Sequence, residues 1–516
     1  MSTATTLPEQ RPSPPPAKRM GIRRLLAVNA MWLGQGAHWP PITFQLVPVA
    51  AFMIAGGSAD LLIGRVSSAG NLFALIAPIL AGWLSDRTST RWGRRRPWIV
   101  AGTAINLVGL GLLAAAGNTL TLAFAYMLVQ LTFNLAGGAY AAVIPDVVPA
   151  ADRGRASGLL GMMNALGAVI GLAAVTATLA VFHETRTGVA IGYAAVAVVL
   201  LATTVVTVIA VDEPAVESRH EPLALSPSAL IAGFAALVAI AAWLAFLLVP
   251  LGSLWMPVGI VAGAGALVAA VTAFREPAIR GFFVAFRNGD FFWTFATRAL
   301  VMMGIATIQP FLAVYFRDVI KADHPGTLAG LWGLALLAGA IVPAVIGGHL
   351  SDRLGRRKPF VYAAGALQGL VASVLLFGLV KSLFVIFALG VVFGVGYGLY
   401  VAVDWALACD VLPDRERASG RDMGLWHIAF TLPPALAPAI FAPILHAFNE
   451  PGHQLLGHRP VLHRLDLHQR HLRPAPAALL HRGSHLRGQH HLLLGAQLRR
   501  RRLRLPRRRG QLRVDR

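Results

Sequence analysis

Apolar runs long enough to cross a lipid bilayer recur down this chain, and they constrain its fold more than any other feature. Each covers roughly 20–28 residues, where about 20 suffice for a helix to span a hydrocarbon core about 30 Å thick. Lipid offers no partner to a backbone N–H or C=O, so such runs must be helices that close their own hydrogen bonds. The alternating pattern of a barrel strand is not seen. Candidate spans lie near 25–52, 61–84, 97–116, 119–145, 157–182 and 188–211. A polar linker, Asp212 to Ser228, comes next. Two further runs, 229–249 and 252–274, precede an amphipathic stretch from Arg275 to Asp290, and five more follow at 293–317, 326–350, 360–380, 382–409 and 422–447. The order is six, then two, then five. Only 13% of the residues are charged, about half the share usual in a soluble domain.

Orientation follows from the loops. Arg87, Arg91, Arg94, Arg95 and Arg96 lie between spans two and three, and Arg353, Arg356, Arg357 and Lys358 lie in the matching loop of the second half. Arg153 and Arg155 mark one further loop on this side, and Arg415, Arg417 and Arg421 another, whereas Gly56–Asp60 and Gly117–Leu120 carry no basic residue. Positive loops stay inside, so the expected location is the inner (plasma) membrane with a cytoplasmic N-terminus. Residues Met1 to Lys18, rich in Pro, Ser and Thr, read as disordered. They lack the early apolar core of a cleavable leader, so the first span is expected to serve as the insertion signal. The single cysteine, Cys409, excludes an intrachain disulfide and a cysteine metal cluster.

An internal repeat sets the domain organisation. Gly82-Trp83-Leu84-Ser85-Asp86-Arg87 recurs as Gly348-His349-Leu350-Ser351-Asp352-Arg353. Arg91-Trp92-Gly93-Arg94-Arg95-Arg96-Pro97 recurs as Arg353-Leu354-Gly355-Arg356-Arg357-Lys358-Pro359, and Asp146-Val147-Val148-Pro149 with Arg153 recurs as Asp410-Val411-Leu412-Pro413 with Arg417. The offsets, 266, 262 and 264, differ only by small loop changes. Three pairs in the same order, each at an equivalent helix end, are what duplicated transporter halves require. The expected fold is an all-α polytopic membrane protein of two pseudo-symmetric six-helix halves, with two extra central spans and a corrupted last helix. Its parts are a disordered start at 1–20, a first half at 21–211, a linker with the extra spans at 212–290, a second half at 291–450, and an aberrant tail at 451–516.

The paired motif has a physical logic. Its glycine lets helices approach, its Asp pairs with Arg or faces a helix N-terminus, and its arginines can clamp one side of the bundle. Candidate gating residues are Asp86, Arg87, Arg94, Asp146 and Arg153, with Asp352, Arg353, Arg356, Asp410 and Arg417 in the second copy. A purely topogenic role for these loops is the plainer alternative.

The double motif resembles the signature of the major facilitator superfamily, over about residues 20–447. Within it, Asp86-Arg87-Thr88-Ser89-Thr90-Arg91-Trp92-Gly93-Arg94-Arg95-Arg96-Pro97 resembles the glycoside–pentoside–hexuronide:cation symporters and the sucrose/proton symporters. That resemblance implies alternating access, a small hydrophilic solute such as a sugar, and a coupling proton or cation. The two extra spans and the altered last helix depart from the family pattern.

Transport chemistry is sought among polar residues inside the spans. Asp404 lies in the run Leu399 to Leu407, and a central Asp costs about 2.5–3.5 kcal/mol on insertion scales. It reads either as a coupling carboxylate or as a fixed ion pair with Arg298. By the repeat its counterpart is Tyr140, so duplication does not account for the charge. Gln35, His38 and Gln45 in the first span have spacings that put them on one helix face unless Pro40, Pro41 and Pro48 rotate it. With Gln130, Asn134 and Gln309 they are candidate solute ligands, and interhelical hydrogen bonding is the alternative for each. Trp32, Trp39 and Trp405 are candidate stacking groups, and Gly390, Gly394, Gly396 and Gly398 read as close helix packing. No phosphate loop, His-Glu-x-x-His or nucleophile elbow is present, so no enzyme activity, cofactor or metal is expected. The preferred reading is a monomeric, proton- or cation-coupled symporter of a sugar or similar hydrophilic solute. Amphiphile efflux, a non-transporting receptor and a defective product are the alternatives, and nucleic-acid binding is not expected.

The tail explains most of the net charge of +22. Residues 451–516 hold 16 Arg, no Lys and two acids, with nine of the 16 His, and no Phe, Ile, Met, Trp or Tyr. A histidine metal tract and an arginine nucleic-acid patch are both weaker readings than a reading-frame slip. Codons exist for Gln454 to His463 whose one-nucleotide shift encodes Asn-Tyr-Trp-Ala-Ile-Val-Leu-Tyr-Ser-Ile, the start of an apolar helix. Resequencing the gene is expected to place a one-nucleotide change near Gln454; several independent reads with this same tail in frame would end the idea.

Overall fold

A computed structural model describes residues 19–149, 152–213, 226–249, 252–277, 280, 283–376, 380–411 and 419–449. Twelve helical stretches within it are long and apolar enough to cross a membrane. The first, Ile22–Arg87, is broken by a 3-10 turn at Gly56–Ser58, where Gly56 takes a φ of 52° that its lack of Cβ permits. It therefore supplies two passes, and the order six, two, five is recovered. Among the described residues the only β pairing is an isolated bridge between Thr90 and Gly93.

The first span begins as α1 (Ile22–Pro41), passes through a π segment at Ile42–Leu46 and ends as α2 (Val47–Ala55). Pro40 and Pro41 lack the N–H that regular helix geometry needs. The chain answers with a wider turn, and Thr43 Oγ1 donates to the Trp39 carbonyl at 3.2 Å. There follow α3 (Ala59–Arg87), α4 (Arg96–Ala115), α5 (Thr119–Ala141), α6 (Val143–Val147), α7 (Arg153–Val181) and α8 (Arg186–Ala210). Asn118 starts α5 with a reciprocal capping box to Thr121. The central pair is α9 (Pro227–Leu248) and α10 (Trp255–Ala273). The remaining helices are α11 (Gly289–Ile308), α12 (Leu312–Asp318), α13 (Pro325–Leu354), α14 (Lys358–Leu376), α15 (Leu383–Val411) and α16 (Ser419–Asn449).

Packing sorts these helices into two groups. α1 lies on α7 and α8, α3 on α5, and α4 on α5 and α8; in the second group α13 and α14 pack on α15, and α11 packs on α16. Two seams join the groups, α3 against α16 and α7 against α13. The sequence repeat equates α3 with α13 and α7 with α16, so each seam is the other's symmetry mate. The central hairpin is peripheral: α9 packs on α10, α3 and α5, and only 6% of the α10 span is buried.

Small residues set the tightest contacts, because lipid gives no hydrophobic drive and close backbone approach supplies the attraction. A Cβ at Gly394 would overlap the Leu336 carbonyl and one at Gly398 the Ala340 carbonyl, both on α13. Gly167 and Gly171 on α7 meet the Leu33 and Ala37 carbonyls of α1 in the same way. Gly394→Leu should therefore destabilise the protein by about 1–3 kcal/mol through overpacking. Gly365→Leu, where an added Cβ meets nothing within 4 Å, should leave it unchanged. Thermal unfolding of both variants in detergent checks this contrast.

Candidate functional site

Three polar clusters lie along the bundle, and the residues singled out by sequence fall unevenly among them.

The first is at the end that carries the Arg-rich loops. Arg95 is 5% exposed; its Nη2 lies 2.7 Å from Asp86 Oδ1, its Nε 3.1 Å from Asp146 Oδ2, and its Nη1 donates to Ser85. Arg94 Nη2 reaches the other Asp146 oxygen at 2.8 Å. In the second half Arg357 Nε lies 3.0 Å from Asp410. The motif alignment equates Arg95 with Arg357 and Asp146 with Asp410, so the duplication preserves one ion pair in both halves. Arg153 braces the α6 region, donating to the carbonyls of Val148 (3.3 Å) and Pro145 (3.0 Å). Arg87 ends α3; Arg353 lies in the last turn of α13 and Arg356 just beyond it. The Asp352 side chain and Arg417 lie outside the described residues, as do the tail and the Trp405 side chain. Sequence reasoning missed two partners here. Glu213, just past α8, accepts the backbone N–H groups of Arg94 (2.6 Å), Arg95 (2.9 Å) and Arg96 (2.9 Å), which closes the N-terminus of α4. Asp152 accepts from the Met20 amide at 2.6 Å, which with Arg155 holds its carboxyl below the usual range.

The second cluster is buried in the middle of the spans. Asn134 Nδ2 donates to Gln130 Oε1 at 3.2 Å, Gln130 donates to Asn71, and Asn71 Nδ2 donates to the Pro434 carbonyl on α16 at 2.8 Å. That carbonyl is available because Pro438, four residues on, has no N–H to offer it. The relay thus crosses from one half to the other. His38 is fully buried, stacked on Phe133 at 4.3 Å, with Nε2 3.1 Å from Asn106 Oδ1. Gln45 donates to Thr176 on α7 at 2.7 Å. The two do not share a face, because the π segment rotates the helix between them. Gln35 is buried with no partner for Nε2 among the described residues, and Gln309 is half-buried at the break between α11 and α12. Asn71, Asn106 and Thr176 were not picked from sequence, although an Asn inside an apolar run carries the same signal that flagged Gln130.

In the same region of the second half, Arg298 on α11 pairs with Asp404 on α15. The guanidinium carbon sits 3.3 Å from the centroid of Trp426 and 5.5 Å from that of Phe430, both on α16. Tyr400 and Tyr397 precede Asp404 by one and two turns on one face. With the offset of 266, Arg298 falls opposite Trp32, and Trp32 contacts Tyr140 at 5.1 Å. An aromatic contact in one half therefore stands where a buried charge pair stands in the other.

The third cluster is at the far end, and sequence reasoning missed it. His446 Nδ1 on α16 lies 3.1 Å from both oxygens of Asp60 on α3. Glu184 accepts the Thr327 amide at the start of α13 at 2.6 Å. Arg317 donates to the Gly56 carbonyl at 2.8 Å, with its guanidinium 4.4 Å from Phe52. Each of these joins the two groups of helices, whereas the four pairs described at the Arg-rich end, Arg95–Asp86, Arg95–Asp146, Arg94–Asp146 and Arg357–Asp410, each lie within one group.

The sequence matches the Major Facilitator Superfamily over residues 24–438. An uncharacterized MFS-type transporter, YwfA of Bacillus subtilis, is 27% identical over 154 residues, 29% of this chain and 34% of that protein. An uncharacterized symporter of Synechocystis, sll1374, is 34% identical over 89 residues, 17% of this chain and 16% of that one. Both matches thus span well under two thirds of those relatives. Among solved structures, a bacterial homolog to the human lysosomal transporter Spinster, in an inward-facing and unoccupied conformation, aligns with a TM-score of 0.52 at 17% identity. That alignment covers 83% of this chain and 82% of the other, and at this identity it shows the fold.

The geometry of the Arg-rich end ranks its carboxylates. Asp146 binds two arginines and is 21% exposed, whereas Asp86 is 57% exposed. Asp146→Asn should cost about 1–3 kcal/mol of stability, and Asp86→Asn less than about 1 kcal/mol. Thermal melts of the two variants measure the difference.

Proposed function

Since this chain belongs to the Major Facilitator Superfamily, we propose that it carries a sugar or similar hydrophilic solute across the membrane, coupled to a proton or cation. The likeness of its first motif to the glycoside–pentoside–hexuronide and sucrose symporters supports the solute class, as does the name of the Synechocystis relative for coupling. The observation that carries the reading is the buried Arg298–Asp404 pair. A charge inside a span is costly and, by default, functional. Proton binding to Asp404 removes its attraction to Arg298, while Trp426 and Phe430 continue to hold the guanidinium by its face. Coupling then consists of a change in how α11 is tied to α15. The amides of Asn71, Gln130 and Asn134 supply donors and acceptors for hydroxyl groups on the opposite side.

Alternating access follows from the distribution of contacts. The halves, taken as 21–211 and 291–450, rock about the two seams. Contacts between them at the Asp60–His446 end favour the state open toward the Arg-rich loops, which the positive-inside rule places in the cytoplasm. Return to the other state breaks Asp60–His446, Glu184–Thr327 and Arg317–Gly56. The candidate gating residues Asp86, Arg94 and Asp146, with Arg95 between them, then act as a rigid brace within the first half.

The test is uptake by the full chain in proteoliposomes, across a sugar panel, with and without a pH gradient. Asp404→Asn should reduce uphill, pH-driven accumulation by more than about tenfold and spare downhill exchange, because the amide mimics the protonated carrier. Parallel loss of both activities together with thermal stability would make the pair structural. Uphill transport at the normal rate would remove Asp404 from the mechanism.

A further inference from the structure

The central hairpin has no counterpart in the repeat, and it encloses a cavity that the transport reading leaves unused. This cavity, 450 Å³, lies where α9 and the start of α10 meet α3 and α16, within the about 300–1,000 Å³ usual for small-molecule sites. Its wall on the hairpin side is Trp243, Phe246, Leu247 and Trp255, with Trp243 and Phe246 stacked at 5.8 Å. Its floor is the α3–α16 contact, where a Cβ at Gly64 would overlap the Ala442 side chain. All of these residues sit near the helix ends remote from the Arg-rich loops, so the cavity is at one bilayer leaflet, between helices.

One charged residue faces into it. Arg65 lines the cavity, is exposed, and has no ion-pair or hydrogen-bond partner among the described residues. It lies six residues into α3, about 9 Å from the helix start. A guanidinium at that depth needs an anion or a path to water. Its nearest acidic neighbour in sequence, Asp60, faces His446 instead. The cavity therefore combines an unneutralised planar cation, tryptophans of the kind that settle at headgroup level, and an apolar interior. Phosphate is the anion whose oxygens match the guanidinium fork, and in a bilayer phosphate comes attached to acyl chains.

We propose that Arg65 and the α9–α10 hairpin form a binding site for one anionic phospholipid, its phosphate on Arg65 and an acyl chain between the hairpin and α16. Basic pockets between spans on the cytoplasmic side bind lipid headgroups by such contacts, and the guanidinium–phosphate chemistry is the same at the other leaflet. The hairpin then serves as the outer wall of a lipid site at a seam between the halves, and the lipid contacts one helix from each. The inference is independent of the transport reading, since it requires only the fold and the bilayer.

Native mass spectrometry of the full chain in detergent, titrated with phosphatidylglycerol, tests it. One phosphatidylglycerol should survive delipidation. Its retention should fall by about tenfold or more in Arg65→Gln and in Ala439→Trp, which fills the cavity, and only a few-fold in Arg65→Lys. Brominated-chain phosphatidylglycerol should quench tryptophan fluorescence, and less so once Trp243 and Trp255 are both replaced by Phe. Undiminished retention by Arg65→Gln would overturn the proposal. So would equal retention of phosphatidylcholine, or displacement by inorganic phosphate alone, which would mark a free-anion site. Transfer of the brominated lipid between leaflets by the reconstituted protein would make it cargo and overturn a resident role.

Discussion

Hydrocarbon gives a backbone carbonyl nothing to bond to, and the polar interior of this protein is arranged around the places where its helices cannot satisfy themselves. Prolines create most of those places. Pro438 strips the Pro434 carbonyl of its helical donor, and Asn71 supplies another from the opposite half. Pro40 and Pro41 force the π segment of the first span, where Thr43 Oγ1 donates to the carbonyls of Trp39 and Pro40. At the membrane edge, Glu213 takes up the N–H of Arg96, which opens α4, and those of Arg94 and Arg95 just before it. A polar side chain inside such a bundle is thus often fixed by a main-chain break in a neighbouring helix. On the proposed reading, Asn71 turns toward a solute only by abandoning Pro434, which ties solute binding to the seam between the halves.

Duplication explains what is symmetric here and isolates what is not. The Arg95–Asp146 pair and the Arg357–Asp410 pair are the same bond made twice, at 3.1 Å and 3.0 Å. The α3–α16 and α7–α13 seams are likewise exchanged by the repeat. Against that background the Arg298–Asp404 pair stands out, because the equivalent place in the first half is an aromatic contact whose Tyr140 hydroxyl donates to the Val28 carbonyl at 2.8 Å. Hydrogen bonding to a carbonyl satisfies a neutral group permanently. A buried ion pair is satisfied only while both members stay charged, and the proposed coupling at Asp404 rests on that difference.

How much of this was legible in sequence depends on the range of the cause. The spans, the two-fold organisation and the Asp146 and Asp410 positions follow from hydropathy and from motifs repeated at a fixed offset. The direction in which His38 and Gln45 point does not, since it turns on a π segment whose presence depends on how the prolines are accommodated. Asn71 acquires its role from a proline 367 positions away, and no local pattern contains that information. Glu213 reads as one more linker acid until folding brings it under the first turn of α4. Arg65 is a lone cation near a span end in the sequence, and only the fold sets it beside the α9–α10 hairpin.

On the proposed cycle, the contacts that break must be weak enough to break. A hydrogen bond with one charged partner contributes about 1.5–3 kcal/mol, and a neutral one about 0.5–1.5 kcal/mol. Asp60–His446, Glu184–Thr327 and Arg317–Gly56 together hold the far end by several kcal/mol, and water entering the opened seam would replace much of that. A bias of about 5.5 kcal/mol suffices to reverse a two-state population from 99:1 to 1:99, so three such contacts are of the right order to be overcome by binding a solute and a proton. The brace at Arg95 is built differently. Its guanidinium is buried against two carboxylates and a hydroxyl of its own half, and pulling it away would strand a desolvated charge. Strong bonds within a half and weaker ones between halves are what let each half turn as a rigid body while the interface rearranges.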